Sequence, residues 1–279
     1  MSGLQGKVCL VTGANAGIGK ETVRELARQG ATVVMVSRDA ERGQAALEEI
    51  QAQHRAASLA LIQADLASQE QVRHLAAQFL ARYARLDILI HNAGLLKRRR
   101  ELTADGIETT LAVNHLAPFL LTHLLQETLR ASAPARVITV ASEAHKIGRI
   151  AWKNLQAERG YYGLRQYGVT KLMNILFSNA LAERLQGTGV TSNSLHPGVV
   201  DTGIGREAPV WAGWFLRPVA ISTTQGAATP LYVATAPELE TVSGRYFKEC
   251  KEAQPSPRAR ERATAEKLWE ISARLTQLL

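Results

Sequence analysis

The stretch Thr12-Gly-Ala-Asn-Ala-Gly-Ile-Gly19 follows the apolar run Val8-Cys-Leu-Val11 and leads into a helical pattern. A strand that turns through glycines into a helix aims backbone N–H groups and the positive helix end at one point. That point suits a diphosphate. Gly13 serves the tight turn, Gly17 admits a phosphate close to the backbone, and Gly19 lets helix and strand approach. The spacing is G-x-x-x-G-x-G, which matches the commoner G-x-G-x-x-G fingerprint only loosely. A glycine turn of this kind also serves as a plain strand–helix connection, so the rest of the chain decides between the two.

Short β-branched runs at 7–11, 32–37, 58–63, 86–90, 136–141, 190–195 and 244–247 alternate with helical patterns near 17–29, 40–54, 68–84, 103–131 and 164–186. That order predicts βαβ crossovers and one doubly wound α/β domain, with a mainly parallel, seven-stranded sheet flanked by helices. No linker or repeat divides the chain. The expected division is a catalytic domain over 1–250, with an irregular aromatic stretch over about 199–225. A C-terminal tail and helix over 251–279 then pack on the same domain. Asp39 is the expected cap of the second helix, and Gly30 the stop of the first.

Composition narrows the function classes. Hydrophobic content of 46% and charged content of 21% fit a soluble globular domain. Cys9 and Cys250 have neither metal nor redox spacing, which favours a reducing compartment. The chain enters its first strand almost at once and carries no apolar run of membrane-spanning length, so the expectation is a cytoplasmic protein without a signal peptide. The formal charge of +8 includes one run, Lys97-Arg98-Arg99-Arg100. No nucleic-acid module accompanies it, and a solvated loop is the preferred reading over contact with a phosphate or membrane surface.

The second decisive feature is Tyr167-Gly-Val-Thr-Lys171. Positions i and i+4 share a helix face, so a phenol and an ammonium can look into one cleft. A free phenol titrates near pH 10, and a fixed cation beside it favours the phenolate. By itself Y-x-x-x-K is a common accident. Here it joins the glycine turn, His91-Asn-Ala-Gly94, Asn114, Ser142 and Pro197-Gly198, each at the C-terminal end of a candidate strand or on the following helix, where open α/β sheets bind ligands.

With these motifs the chain resembles the short-chain dehydrogenase/reductase family, a Rossmann-type fold, from Lys7 to about Phe247. Within it, the stretches Thr12–Thr22, Val113-Asn-His-Leu116, Phe119–Leu125 and Gly187–Thr191 resemble the retinol dehydrogenase-like branch, as does the long gap from Ser142 to Tyr167. The resemblance implies Tyr167 as general acid/base and Ser142 as hydrogen-bond donor to the reacting oxygen. It implies Lys171 on the nicotinamide ribose, lowering the phenol pKa, and Asn114 holding a proton relay. For cofactor binding it implies Gly13, Asn15, Gly17, Ile18 and Gly19 at the diphosphate. Asn92, Ala93 and Gly94 would lie along the adenosine ribose, with Asp65 and Leu66 beside the adenine. Pro197 and Gly198, which close the sixth strand, count among the cofactor-binding residues, and Val200 and Thr202 position the carboxamide. The departures are His91 for the usual asparagine, Ala141 before Ser142 and Thr170 before the lysine. His91 and His145 read as packed or surface histidines. No His, Cys and acidic set has metal-ligand spacing.

Ser37 and Arg38 end the second strand. Ser37 offers no carboxylate to repel a 2′-phosphate, and Arg38 offers a guanidinium that forks onto one. NADP(H) is therefore favoured, with NAD(H) the alternative. Trp211 and Trp214 lie where relatives carry a substrate lid, and with Trp152, Tyr161 and Tyr162 they suggest a lipophilic carbonyl or alcohol substrate, retinoid-like compounds included. The competing reading places these rings on the core, a second subunit or a membrane surface. The helices near 103–131 and 164–186 correspond to a pair that joins homodimers in the family. The functional alternative to an oxidoreductase is a dinucleotide-binding regulator or scaffold without turnover.

Overall fold

The computed structural model describes residues 3–198 and 222–279. The order is β1 (Val8–Thr12), α1 (Gly17–Arg28), β2 (Thr32–Ser37), α2 (Ala40–Gln53), β3 (Ser58–Gln63), α3 (Gln69–Arg82) and β4 (Ile88–His91). There follow α4 (109–131), β5 (Ala135–Val140), α5 (Gly163–Arg184), β6 (Val190–His196), α6 (Thr223–Thr235), β7 (Tyr246–Lys248), β8 (Lys251–Ala253) and α7 (Arg262–Leu275). Among the described residues, no helix is long and apolar enough to cross a membrane.

The strands form one sheet in the order β3-β2-β1-β4-β5-β6-β7-β8. Every neighbouring pair is parallel except β7–β8. The chain winds from β1 outward through β2 and β3, then crosses back to β4 and winds the other way. The crevice between the ends of β1 and β4 is therefore the topological switch point.

Alternation along the strands splits the core into two layers. Val8 and Leu10 of β1, with Val34 and Val36 of β2, face α3, α4 and α5 through Leu75, Phe79, Phe119 and Phe177. Cys9 and Val11, with Val33 and Met35, face α1, α2 and α6 through Val23, Leu26, Leu47 and Val233. Fully burying one such side chain contributes about 1.5–3 kcal/mol. The Asp39 carboxylate accepts from Arg42 N at 3.0 Å and starts α2 as expected, and Gly30 ends α1 at φ +91°.

Three features correct the sequence reading. The sheet has eight strands rather than seven, because β8 returns antiparallel to β7 through Glu249 and Cys250, both at positive φ (52° and 56°). Such a two-residue turn normally advertises itself with Asn-Gly or Asp-Gly, and here it does not. The helical pattern near 103–131 begins only at Thr109, because 103–107 close a turn (Thr103 N to Ile107 O, 2.8 Å) with Gly106 at φ +72°. Glu108 then caps α4, its two carboxylate oxygens accepting from Thr110 N and Leu111 N at 2.8 Å. Finally, α6 forms where the sequence pattern marks no helix. Ser222 and Gln225 form a capping box at its start, and the helix runs through Pro230.

Candidate active site

The ends of β1 and β4 are stitched together before any ligand is considered. Thr12 Oγ1 accepts from Asn92 N and Ala93 N, both at 3.1 Å. Asn92 Nδ2 donates to Thr12 O at 2.9 Å and Gly13 O at 3.1 Å. Gly13 and Gly17 stand at φ +65° and +56°, where a side chain is strained. A Cβ on Gly19 would lie 2.3 Å from Gly13 O and 2.4 Å from Asn92 Nδ2, so the helix can meet the turn only as glycine. Asn92 thus holds the glycine turn in shape, a task that its sequence motif did not announce.

α1 begins at Gly17 behind Ala16, whose side chain caps nothing. Its first N–H groups and positive end therefore face the crevice without a side-chain acceptor. Asn15 is half-buried on the same turn and Ile18 is buried behind it. At the tip of β2, Ser37 is buried and donates to Asp39 O at 2.8 Å, while Asp39 is committed to capping α2. The exposed Arg38 guanidinium has no partner among the described residues. Asp65, after β3, accepts from Ala67 N at 2.9 Å in a local turn, and Leu66 packs on the core. The loops after β1, β2 and β3 thus fit a dinucleotide, with a glycine turn facing the crevice and an exposed guanidinium at the tip of β2 that has no side-chain partner among the described residues.

The chemistry-bearing side chains meet across β5, α4 and α5. Gly148 and Gly168 let the turn after β5 lie flush on α5. A Cβ on Gly148 would come within 2.5 Å of Gly168 O, and one on Gly168 within 2.7 Å of Ala144 O. This approach brings Ser142, which caps the 3-10 turn Glu143–Ile147, close to the Tyr167 phenol. One turn further, Lys171 is buried, donates from Nζ to Val140 O at 2.8 Å, and sits 5.5 Å from the Tyr167 ring centroid. Gly94 leaves room for it, since a Cβ there would lie 3.3 Å from Lys171 Nζ.

Asn114 lies in the π turn Ala112–Leu116 that interrupts α4. Its Oδ1 accepts from Leu95 N at 2.8 Å, and its Nδ2 donates to Leu95 O at 2.9 Å and Thr170 Oγ1 at 3.1 Å. The threonine that replaces serine before the lysine therefore supplies the hydroxyl joining Asn114 to α5. Single π turns of this kind recur at functional sites, where they re-aim one side chain.

Burial sets the proton affinities. It pushes the Tyr167 phenol up to about 12, against the opposing pull of the Ser142 side chain. It pushes Lys171 down to about 8. The lowering expected from the lysine neighbour does not act on the phenol, whose affinity is set by burial against the pull of Ser142 alone. His91 is held neutral, pushed down to about 3 by burial, with Nε2 2.6 Å from Thr122 Oγ1. His145 accepts from Ser256 N at Nε2 and donates from Nδ1 to Ser142 O at 2.7 Å, which steadies the turn carrying Ser142. Neither ring faces the cleft as an acid or base.

Pro197 and Gly198 (φ +97°) end β6. Val200, Thr202, Trp211 and Trp214 lie outside the described residues, as does the lid expected over about 199–225, except its last four residues, where Ser222 and Thr223 begin α6. Tyr161 spends its hydroxyl on Lys97 O (3.0 Å) and Glu108 (3.2 Å), and Trp152 lies under Lys267. No group of His, Cys, Asp and Glu among the described residues could hold a metal ion.

The family model for short chain dehydrogenases matches residues 7–212. Retinol dehydrogenase 12 of Mus musculus is 47% identical over 274 residues, covering 98% of this chain and 87% of that protein. Dehydrogenase/reductase SDR family member 13 of Homo sapiens is 45% identical, covering 100% of this chain and 75% of that protein. Among solved structures, an uncharacterised protein from Mycobacterium paratuberculosis superposes with a TM-score of 0.81 at 31% identity, covering 99% of this chain and 96% of that one. A short chain dehydrogenase from Burkholderia cenocepacia in complex with NADP superposes at 0.71 and 29% identity, covering 88% and 96%.

Proposed function

The chain belongs to the short-chain dehydrogenase family, in its retinol dehydrogenase-like branch, and on that premise we propose that it moves a hydride between NADP(H) and a lipophilic carbonyl or alcohol. The family is one of oxidoreductases acting on CH–OH or C=O groups with a nicotinamide cofactor. The bound nicotinamide supplies or accepts the hydride at carbon. The proton at oxygen is the protein's task.

Tyr167 carries that proton. In the reducing direction its phenol donates to the carbonyl oxygen as carbon gains the hydride, and in the oxidising direction its phenolate takes the proton back. Ser142 donates a hydrogen bond to the same oxygen and steadies its negative charge. Lys171 holds positive charge one helical turn away and is placed to bind ribose hydroxyls. Asn114 acts through Leu95 and Thr170, fixing the backbone that frames Lys171. Arg38, free at the tip of β2, supports NADP(H) over NAD(H), and the NADP in the Burkholderia structure agrees with that preference. The name of the mouse relative supports retinoid-like substrates.

The observation that carries this reading is the gathering of Ser142, Tyr167 and Lys171 at one place, with the Lys171 ammonium 5.5 Å from the centroid of the phenol ring and Ser142 close enough to lower the proton affinity of Tyr167. Consumption of NADPH with a panel of hydrophobic aldehydes tests it. Tyr167→Phe should bind NADPH like the native chain and lose at least about a hundredfold in kcat. Tight NADPH binding with no Tyr167-dependent turnover would replace the enzyme with a nucleotide-binding regulator.

A further inference from the structure

Most of the net positive charge of this chain comes from two segments that meet in the fold. Segments 97–102 and 143–165 hold nine lysines and arginines against three glutamates, a surplus of six within the whole chain's +8. The fold brings these segments together around the first turn of α5. Gly163 lies against Lys97 O and Arg98 Cα, Tyr161 donates to Lys97 O at 3.0 Å, and Arg100 Nε donates to Gln156 O at 2.9 Å. Ile147 lies against Gly168 one turn further along. Glu101 and Glu143 are occupied by Lys97 and Lys146. Arg98, Arg99, Arg149, Lys153 and Arg165 are exposed and form no ion pair among the described residues.

The same face carries most of the exposed large apolar side chains. Tyr162 is 59% exposed, Ile147 53%, Leu102 52% and Leu164 44%, and among the described residues only Leu80 and Leu279 are comparable. Ser142 opens the turn that carries Ile147, and Tyr167 follows Leu164 by three residues on α5, so these two apolar tips stand on the elements that carry the candidate active site.

We propose that this face docks on anionic phospholipid bilayers, turning the mouth of the site toward the membrane. The free cations match anionic headgroups, each contributing about as much as a juxtamembrane lysine. The aliphatic side chains decide between lipid and nucleic acid. Isoleucine and leucine offer nothing to a phosphodiester backbone, whereas they enter the headgroup–acyl boundary when a basic surface lies flat on it. The docking rests on this surface alone. Its use, delivery of a lipophilic substrate from the bilayer, rests on the function proposed above.

Co-sedimentation of the full chain with phosphatidylcholine vesicles containing about one-third phosphatidylserine, and with phosphatidylcholine alone, tests the proposal. Binding should favour the anionic vesicles and weaken as salt rises. Arg98→Glu/Arg99→Glu should reduce it at least about tenfold. Ile147→Ser/Leu164→Ser should reduce it while the salt dependence persists. Both variants should turn over a water-soluble aldehyde like the native chain, which separates lost docking from lost chemistry. Equal affinity for the two vesicle types, undiminished binding by the charge-reversed variant, or equally tight binding of duplex DNA would overturn the proposal. Native protein that binds vesicles but reduces no aldehyde would sink the proposed function and leave the docking standing.

Discussion

Lys171 should weaken the fold that it serves. Its ammonium is buried, its side-chain partner is Val140 O, and burial lowers its pKa from 10.5 to about 8. That displacement corresponds to roughly 3 kcal/mol of unfavourable charge burial. The sign follows from linkage. Below about pH 8 the lysine is protonated whether the chain is folded or unfolded, and the whole cost is present. Between about 8 and 10.5 the folded chain has released the proton and the unfolded chain has not, so stability rises with pH. Lys171→Met substitutes an unbranched apolar side chain of similar length. It loses one hydrogen bond, worth about 1 kcal/mol, and leaves Val140 O facing Asn174 Nδ2 at 3.4 Å. The variant should therefore be about 2 kcal/mol more stable than the native chain at pH 7 and inactive. Urea unfolding of both proteins at pH 7 and about 9.5 measures the difference, which should shrink by about 2 kcal/mol at the higher pH. Tyr167 titrates in both proteins and largely cancels. A variant no more stable at pH 7, or a margin indifferent to pH, would refute a buried, strained ammonium.

Arg38→Asp should move the ratio of kcat/KM for NADPH over NADH toward NADH by about a hundredfold or more, since it removes a forked, charge-assisted contact and adds repulsion toward a 2′-phosphate. An unchanged ratio would discard Arg38 as the discriminating residue. Gly19→Ala forces a methyl against Gly13 O and should cost about 2–3 kcal/mol with loss of nucleotide affinity, read by thermal melting and NADPH fluorescence. Trp269→Ala removes a ring packed on Phe119 and Phe177 and covered by the Arg184 guanidinium at 4.1 Å. It should destabilise by about 3 kcal/mol in urea titrations.

The parts of the fold written in local periodicity were legible in the sequence. Val8–Val11 alternates between two buried layers, and the glycine turn and Asp39 mark where helices begin. What escaped depends on partners distant in sequence. Nothing near Gly148 says that Gly168 needs it bare, and nothing near Asn92 says that its carboxamide holds Gly13. Glu108 is an uncommon cap that succeeds because Gln166 and Tyr161, more than fifty residues away, also bond its carboxylate. α6 hid behind small residues and Pro230, and β8 behind a turn without asparagine or glycine. Tyr167, Lys171, Ser142 and Asn114 were legible only through the family resemblance, since Y-x-x-x-K by itself is a common accident, and the fold brings all four to the ends of β4 and β5 and the facing turns of α4 and α5. That burial would dominate the titration of Tyr167 was not visible, since desolvation is a property of the assembled crevice.

The C-terminal helix extends the same logic of remote support. Trp269 of α7 enters the seam between α4 and α5 at Phe119 and Phe177, and Arg184 of α5 pairs with Glu266 at 2.6 Å. A second copy meeting that helix pair would find the outer face of α7 over the aromatic seam. The reach of α7 continues inward, because Ser272 Oγ lies 2.8 Å from Nε2 of the buried His115, the neighbour of Asn114 within the π turn. Burial keeps His115 neutral, pushed down to about 3, so this contact is a fixed strut rather than a titrating one across the physiological range. A π turn spreads its hydrogen bonds over an extra residue and is held by what surrounds it. Leu95 and Thr170 hold this one through Asn114 from the cleft side, and Ser272 holds it through His115 from behind. The last helix of the chain is thereby joined, through two adjacent side chains, to the position of Lys171.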